Sequence, residues 1–216
     1  MTTYSVPSFI SDVRIAMDTN NEDNSLTGSG DPDTLRLDEL IRSKICEAID
    51  AVQLEAPINL LEPESLQDAS RTIGFDSLGR GYVKLPTNFL RLTAFRLTSW
   101  KRTVFSAIDP SDPRYDLQYS NFRGVFGSPE KPVVAIDSES GEGLTLKCFS
   151  IPEDMTSDGI TIFRGLTRAE IKDEEVKVSK ACYRPAVYRT AALSLISLND
   201  SQAQTLLELS KSLLTI

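Results

Sequence analysis

The sequence predicts an α+β fold: an antiparallel helical bundle made from the N- and C-terminal helices, with a small β-sandwich or barrel domain inserted between them. Two observations carry that expectation. Apolar residues recur at helical spacing near both ends of the 216-residue chain. Between them lies one continuous block of about six short strand-like runs, punctuated by Gly, Pro, Asp and Ser. A chain that runs helices, then strands, then helices is most simply closed by its two ends. The expected divisions are residues 1–57 for the N-terminal helices, 58–176 for the inserted β-domain and 177–216 for a C-terminal helical hairpin.

Ser5 can cap a first helix with Pro7 in its first turn. Val6, Ile10, Val13 and Met17 follow at helical spacing, and the helix is expected to stop near Asp18. Residues 19–33 are a polar linker. Asp18, Asn20 and Glu22 imitate the start of a calcium loop, but Asp23 stands where that loop needs Gly and Ser29 where it needs Glu, so no metal is expected. A second helix starts at Asp33 or Thr34. Leu37, Leu40, Ile41, Lys44, Ile45, Ala48, Ile49 and Val52 keep one stripe to about Glu55, and Pro57 ends it.

Residues 58–67 read as irregular, with room for a short turn of helix. Residues 72–75 and 80–85 read as strands around the turn 76–79. Residues 86–108 organise the block. Pro86 opens a long strand in which Leu90, Leu92 and Ala94 share one face, and Arg91, Thr93, Phe95 and Leu97 the other. A Trp100-Lys101-Arg102 turn follows, then a second, shorter strand over 104–108. A loop with a short helix over 114–119 leads to a hairpin of 133–137 and 144–149, and 160–164 is a last strand. Lys172 to Val176 reads as a charged connector.

A C-terminal helix begins at Ser179 or Lys180 and places Tyr183, Ala186, Val187, Thr190, Ala191, Ser194, Leu195 and Leu198 on one face. Pro185 must lie in its first turn. Asp200 can cap a last helix striped by Leu206, Leu207, Ser210, Leu213 and Leu214. So short a connection makes the pair an antiparallel hairpin.

The chemistry is sparse. The chain has no histidine, which removes His-based triads, His metal sites and the usual neutral-pH proton shuttle. It has no GxGxxG and no phosphate-loop lysine motif. Glu174 and Glu175 could in principle form an acid–base pair, but they sit in the charged connector. No catalytic, cofactor-binding or metal-binding residue is assigned, and no enzymatic role is expected. Cys46, Cys148 and Cys182 are odd in number and widely spaced, which reads as reduced thiols filling apolar space. No apolar run has a membrane span's length of about 20 residues, and the N-terminus has no signal-peptide pattern.

Charge is segmented within a net of −8. Residues 1–57 carry four basic and eleven acidic side chains, a net of −7. Residues 80–131 carry nine basic and four acidic, a net of +5; residues 132–176 carry four basic and ten acidic, a net of −6. The pattern suits subunits that meet basic patch against acidic patch; each run also fits a plain solvated face. Arg96, Trp100, Lys101 and Arg102 are the candidate protein-interface residues, since aromatics and arginine anchor interfaces. The competing expectation makes Trp100 core and the cations solvated.

The run Leu85-Pro86, Phe89-Leu90-Arg91-Leu92, Arg96-Leu97, Trp100-Lys101-Arg102 is followed by Ala107-Ile108, Tyr115, Gln118, Gly124 and Pro132-Val133-Val134-Ala135-Ile136. Together these resemble the β-insertion of head-to-tail adaptor (ring, or connector) proteins of short-tailed phages, including the ring proteins of crAss-like phages and, more distantly, the tail tubular protein A type. The resemblance spans residues 30–216. It implies a podovirus virion structural protein made in the host bacterial cytoplasm and found in the neck or tail region. It implies a homo-oligomeric ring of about twelve copies that docks on the portal protein and offers a platform to the next tail or ring protein. Genomic DNA would pass through its channel without sequence-specific binding, and no membrane would be involved. Two alternatives stand beside it: another tail-completion or stopper ring protein, and a ligand- or glycan-binding β-sandwich with a helical stalk, which would show an exposed aromatic platform.

Overall fold

The structure is a computed structural model, and it describes residues 1–18, 32–68, 72–75, 80–120, 122, 124–138, 143–151, 159–198 and 200–215. Residues 19–31 of the linker read as 19–33, the turn 76–79 and residues 139–142 of the hairpin loop read as 138–143 lie outside the described residues, and residues 32–33 are already helix. The fold is mixed α+β. Its elements in order are β1 (Thr2–Ser5), α1 (Val6–Asp18), α2 (Pro32–Glu55), β2 (Glu64–Ser65), β3 (Gly74–Phe75), β4 (Gly81–Lys84) and β5 (Phe89–Leu97). Then come α3 (Pro113–Leu117), β6 (Val134–Asp137), β7 (Thr145–Cys148), β8 (Ile160–Thr167), β9 (Glu175–Val178), α4 (Tyr183–Ser197) and α5 (Ala203–Ser212). All named strands pair antiparallel. The chain divides into two compact units, residues 1–62 with 168–216, and residues 63–167.

In the first unit, α4 packs against α1, α2 and α5. Its sequence explains why. Ala186, Ala191 and Ala192 let neighbours approach closely, and all three are fully buried. The buried hydroxyls bond back along the helix: Thr190 Oγ1 donates to the Ala186 carbonyl at 2.8 Å and Ser194 Oγ to that of Thr190 at 3.0 Å. Pro185 lies in the first turn, where a missing N–H costs nothing. The predicted α2 stripe is the buried one: Ile41, Ile45, Ala48, Ile49 and Val52. Ser210 Oγ, near the end of α5, donates to the Pro185 carbonyl at the start of α4 at 2.8 Å, so α4 and α5 run antiparallel. Asp200 sits just ahead of α5 and accepts from the Gln202 N–H at 2.8 Å, although the helix begins only at Ala203.

A two-stranded sheet of β1 and β9 also belongs to this unit. It corrects the reading of residues 172–176 as a connector, and it adds a strand ahead of the first helix. Lys172 and Glu175 exchange backbone hydrogen bonds of 3.0 and 2.8 Å around Asp173 and Glu174, whose φ of 51° and 60° are left-handed. That is the geometry of a two-residue hairpin turn. Beyond it Val176 and Val178 point inward while Glu175 and Lys177 are exposed. The unit therefore takes residues 168–176 from the stretch expected to be β-domain, and 58–62 as well.

In the second unit the sheets are ordered β2-β8-β5 and β3-β4-β7-β6. One apolar cluster joins them: Val83 and Leu146 from one, Phe95 and Phe163 from the other, with Leu97, Trp100 and Val134. The alternation expected along β5 holds from Thr93 to Leu97, where Thr93, Phe95 and Leu97 are buried and Ala94 and Arg96 half-buried, and it breaks at Leu92. The pairing of β5 with β8 slips between Phe89 and Arg91, between Leu92 and Ala94, and between Arg96 and Leu97. Leu92 and Thr93, at the slip between Leu92 and Ala94, are both buried. The second strand expected over 104–108 is not formed. Val104 makes a single bridge to Phe95, and Ile108 a parallel one to Ala135.

Candidate protein interface

The turn after β5 is built from Trp100. Its N–H donates to the Leu97 carbonyl at 3.2 Å, and its indole turns inward, 1% exposed. The ring meets Phe95 edge-on at 5.6 Å, and Nε1 donates to the Ser150 carbonyl at 2.9 Å. Arg96 Nε donates to the Trp100 carbonyl at 3.1 Å, closing the turn from outside. Trp100 is therefore core, not contact surface, and Arg96 is a half-buried brace. A ring with one polar edge is buried here because that edge finds a carbonyl.

Anchoring Trp100 pushes the next residues outward. Lys101 and Arg102 are both exposed. Lys101 N donates to the Pro129 carbonyl at 2.9 Å, and its ammonium lies 2.8 Å from the Glu130 carboxylate. That ammonium holds Glu130 below the usual carboxylate range. Phe105 follows at 58% exposure. Ser150 ties further chain to this end, since its Oγ accepts from Val133 N at 2.8 Å. Of the four residues chosen from the sequence, Lys101 and Arg102 present charge, and Arg96 and Trp100 hold the turn that presents it.

A second loop, residues 109–127, is pinned from within. Asp112 caps α3 by accepting from Arg114 N at 2.9 Å, and the Arg114 guanidinium brings its carboxyl down to about 2. The buried Gln118 donates to the Arg114 carbonyl and accepts from Gly127 N, both at 2.9 Å. Tyr115 OH donates to Asp137 Oδ2 at 2.8 Å, Tyr119 OH donates to Tyr115 OH at 3.0 Å, and Lys147 Nζ lies 2.9 Å from Asp137. Burial above all, then the hydrogen bonds to Tyr119 and Asp137, push the Tyr115 phenol up. This braced loop faces Leu117, Phe122 and Val125 to solvent, with Phe122 at 76%. Exposed apolar side chains on a loop held by hydrogen bonds make it a candidate binding surface. Sequence reasoning missed Phe105, Leu117, Phe122 and Val125; their only signal was large apolar residues standing in polar, turn-rich chain.

In the helical unit, α1 and α4 flank a groove of about 330 Å³ lined by Asp12, Ile15, Tyr183, Arg184, Val187 and Tyr188. Tyr183 stacks on Tyr4 at 4.1 Å and its OH donates to Asp12 Oδ2 at 2.6 Å. Burial and then that carboxylate push its phenol up. Ile15 stands at the rim, 58% exposed.

Among the described residues no group of three or more His, Cys, Asp or Glu is placed to hold a metal ion, and no helix is long and apolar enough to cross a membrane. Cys148 and Cys182 are buried and Cys46 is half-buried, and none of the three is in a disulfide. Compared with known protein-family models and with curated proteins, the chain has no match.

Proposed function

We propose that this chain is a virion structural protein, a subunit of the head-to-tail connector ring of a short-tailed phage, without enzymatic activity. It would act as a helical bundle that carries an inserted β-sandwich, dock on the portal protein, meet the next tail or ring protein, and leave a channel for DNA. About twelve copies would close the ring by a heterologous contact, which needs two different complementary patches on each subunit. The observation that carries this reading is the β-rich unit, in which a braced turn presents Lys101, Arg102 and Phe105 and a braced loop presents Phe122 to solvent. The sequence resemblance supplies the kind of assembly that such a surface would serve. The glycan-binding alternative loses Trp100 from its aromatic platform, since that ring is core.

Cryo-electron microscopy of particles from the source lysate tests the reading. Side-chain density for this chain in a ring beneath the portal is the expected result. Its absence from the neck sinks the proposal.

A further inference from the structure

We infer that residues 168–174 form a strap that opens from α2 as a unit while the helices stay packed, with the Arg42–Glu174 ion pair as its latch. The inference goes beyond the connector reading and stands without it. The strap is the stretch by which the chain re-enters the helical unit after β8, and α2 belongs to that same unit. Three side chains of α2, at i, i+4 and i+8, meet it in turn. Arg42 Nη1 and Nη2 donate to the two carboxylate oxygens of Glu174 at 2.7 and 2.6 Å. The Ile171 backbone N–H donates to the Cys46 sulfur. Asp50 Oδ1 accepts from Ala169 N at 2.7 Å. That spacing puts Arg42, Cys46 and Asp50 on one flank of the helix, beside the buried stripe, and all three are half-buried.

Three features make the strap separable from the bundle. First, it gives the core nothing: Arg168, Glu170, Lys172, Asp173 and Glu174 are exposed, and Ala169 and Ile171 are only half-buried. Segments with few buried apolar contacts are the ones that open locally. Second, its end is strained, since Asp173 and Glu174 are non-glycine residues at φ 51° and 60°, and opening recovers that cost. Third, what holds it shut is polar and concentrated on Glu174, whose carboxylate takes the guanidinium and whose carbonyl accepts from Val6 N at 2.9 Å. A bidentate guanidinium–carboxylate pair is the strongest contact of the set, so its loss shifts the balance most. Cys46 makes the opening readable. Burial above all pushes its thiol up, and the thiolate is the reactive form, so alkylation is slow while the strap is closed. Cys182, buried just ahead of α4 in the same unit, reports any opening of the bundle as a whole.

The test is alkylation of the full chain by iodoacetamide under native conditions, with the rate at each cysteine read by mass spectrometry. Cys46 is expected to react faster than Cys182. Arg42→Gln should raise the Cys46 rate by about threefold or more and leave the Cys182 rate within about twofold. The substitution removes a positive charge one helical turn from the thiol, which by itself raises the thiol further and slows the reaction, so a faster rate reports opening. Amide hydrogen exchange over residues 168–175 should quicken with it while that of α4 stays unchanged. A Cys46 rate unmoved by Arg42→Gln overturns the inference. A parallel rise at Cys182 overturns it too, because the bundle then opens as a whole. So does a faster Cys46 without faster exchange in the strap, which places the change at the thiol alone.

Discussion

Trp100 joins packing to presentation, and single substitutions separate the two. Trp100→Ala empties the middle of the β unit's core and is expected to cost about 3–5 kcal/mol in urea unfolding. Trp100→Phe keeps most of the volume but leaves the buried Ser150 carbonyl without its indole donor, and should cost about 1–3 kcal/mol. Asp137 gives an acid dependence. The Lys147 ammonium first, then the Tyr115 hydroxyl, hold its carboxyl below the ordinary range. A carboxyl lowered on folding contributes stability that is present above its unfolded value of about 3.9 and is lost as pH falls through the folded value. Urea midpoints should therefore drop between pH 5 and pH 2, roughly, and drop less in Asp137→Asn. At the β9 hairpin turn, two non-glycine residues in the left-handed region are costly. Asp173→Gly relieves one and keeps the Glu174–Arg42 ion pair. It should raise stability by up to about 1 kcal/mol, read from the unfolding midpoint.

At the scale of elements, β8 is the strand on which its sheet depends, because it pairs with both β2 and β5. Gly165 marks where chains crowd. A Cβ there would lie 2.7 Å from the Arg91 carbonyl oxygen and 2.6 Å from Leu66 Cδ1. Gly165→Ala should destabilise the unit by about 1–3 kcal/mol, and a calorimetric melt at the wild-type temperature would contradict this account of the packing. The helices were legible because their signal is local. The α2 stripe from Ile41 to Val52 is periodic and capped by Pro57, and burial follows it. On β5 the local signal was right from Thr93 to Leu97 and failed at Leu92. Period two holds only while the ladder is regular, and at the slip between Leu92 and Ala94 two successive residues, Leu92 and Thr93, are both buried. For β9 the alternation of Val176 and Val178 with charged residues was present but only four residues long, and its partner β1 lies at the far end of the chain.

At the scale of the whole molecule, the relevant quantity is how charge is divided between surfaces. If copies meet basic end to acidic unit, Lys101→Glu with Arg102→Glu should block assembly while leaving the monomer's circular dichroism and melting temperature unchanged. Both side chains are exposed, and exposed ion pairs contribute little to folding. Normal rings from the double variant would refute this account. High salt should weaken assembly in the same direction, since exposed charges are screened over about 10 Å at 0.1 M.

By itself the sequence determined the mixed α+β class, the helical stripes, the short strands on either side of residues 76–79, and the segmentation of charge. Each of these depends on residues near one another in the chain. Tertiary structure decided what Arg96, Trp100, Lys101 and Arg102 do. Trp100 turns inward because Phe95 and the Ser150 carbonyl are there to receive it, fifty residues away in the second case. Only then do Lys101, Arg102 and Phe105 have nowhere to go but outward. The same holds for Leu117, Phe122 and Val125, whose exposure follows from Gln118 and Tyr115 fastening their loop to Gly127 and Asp137. Composition can list apolar residues in a loop; whether they face water depends on what the backbone beneath them is tied to.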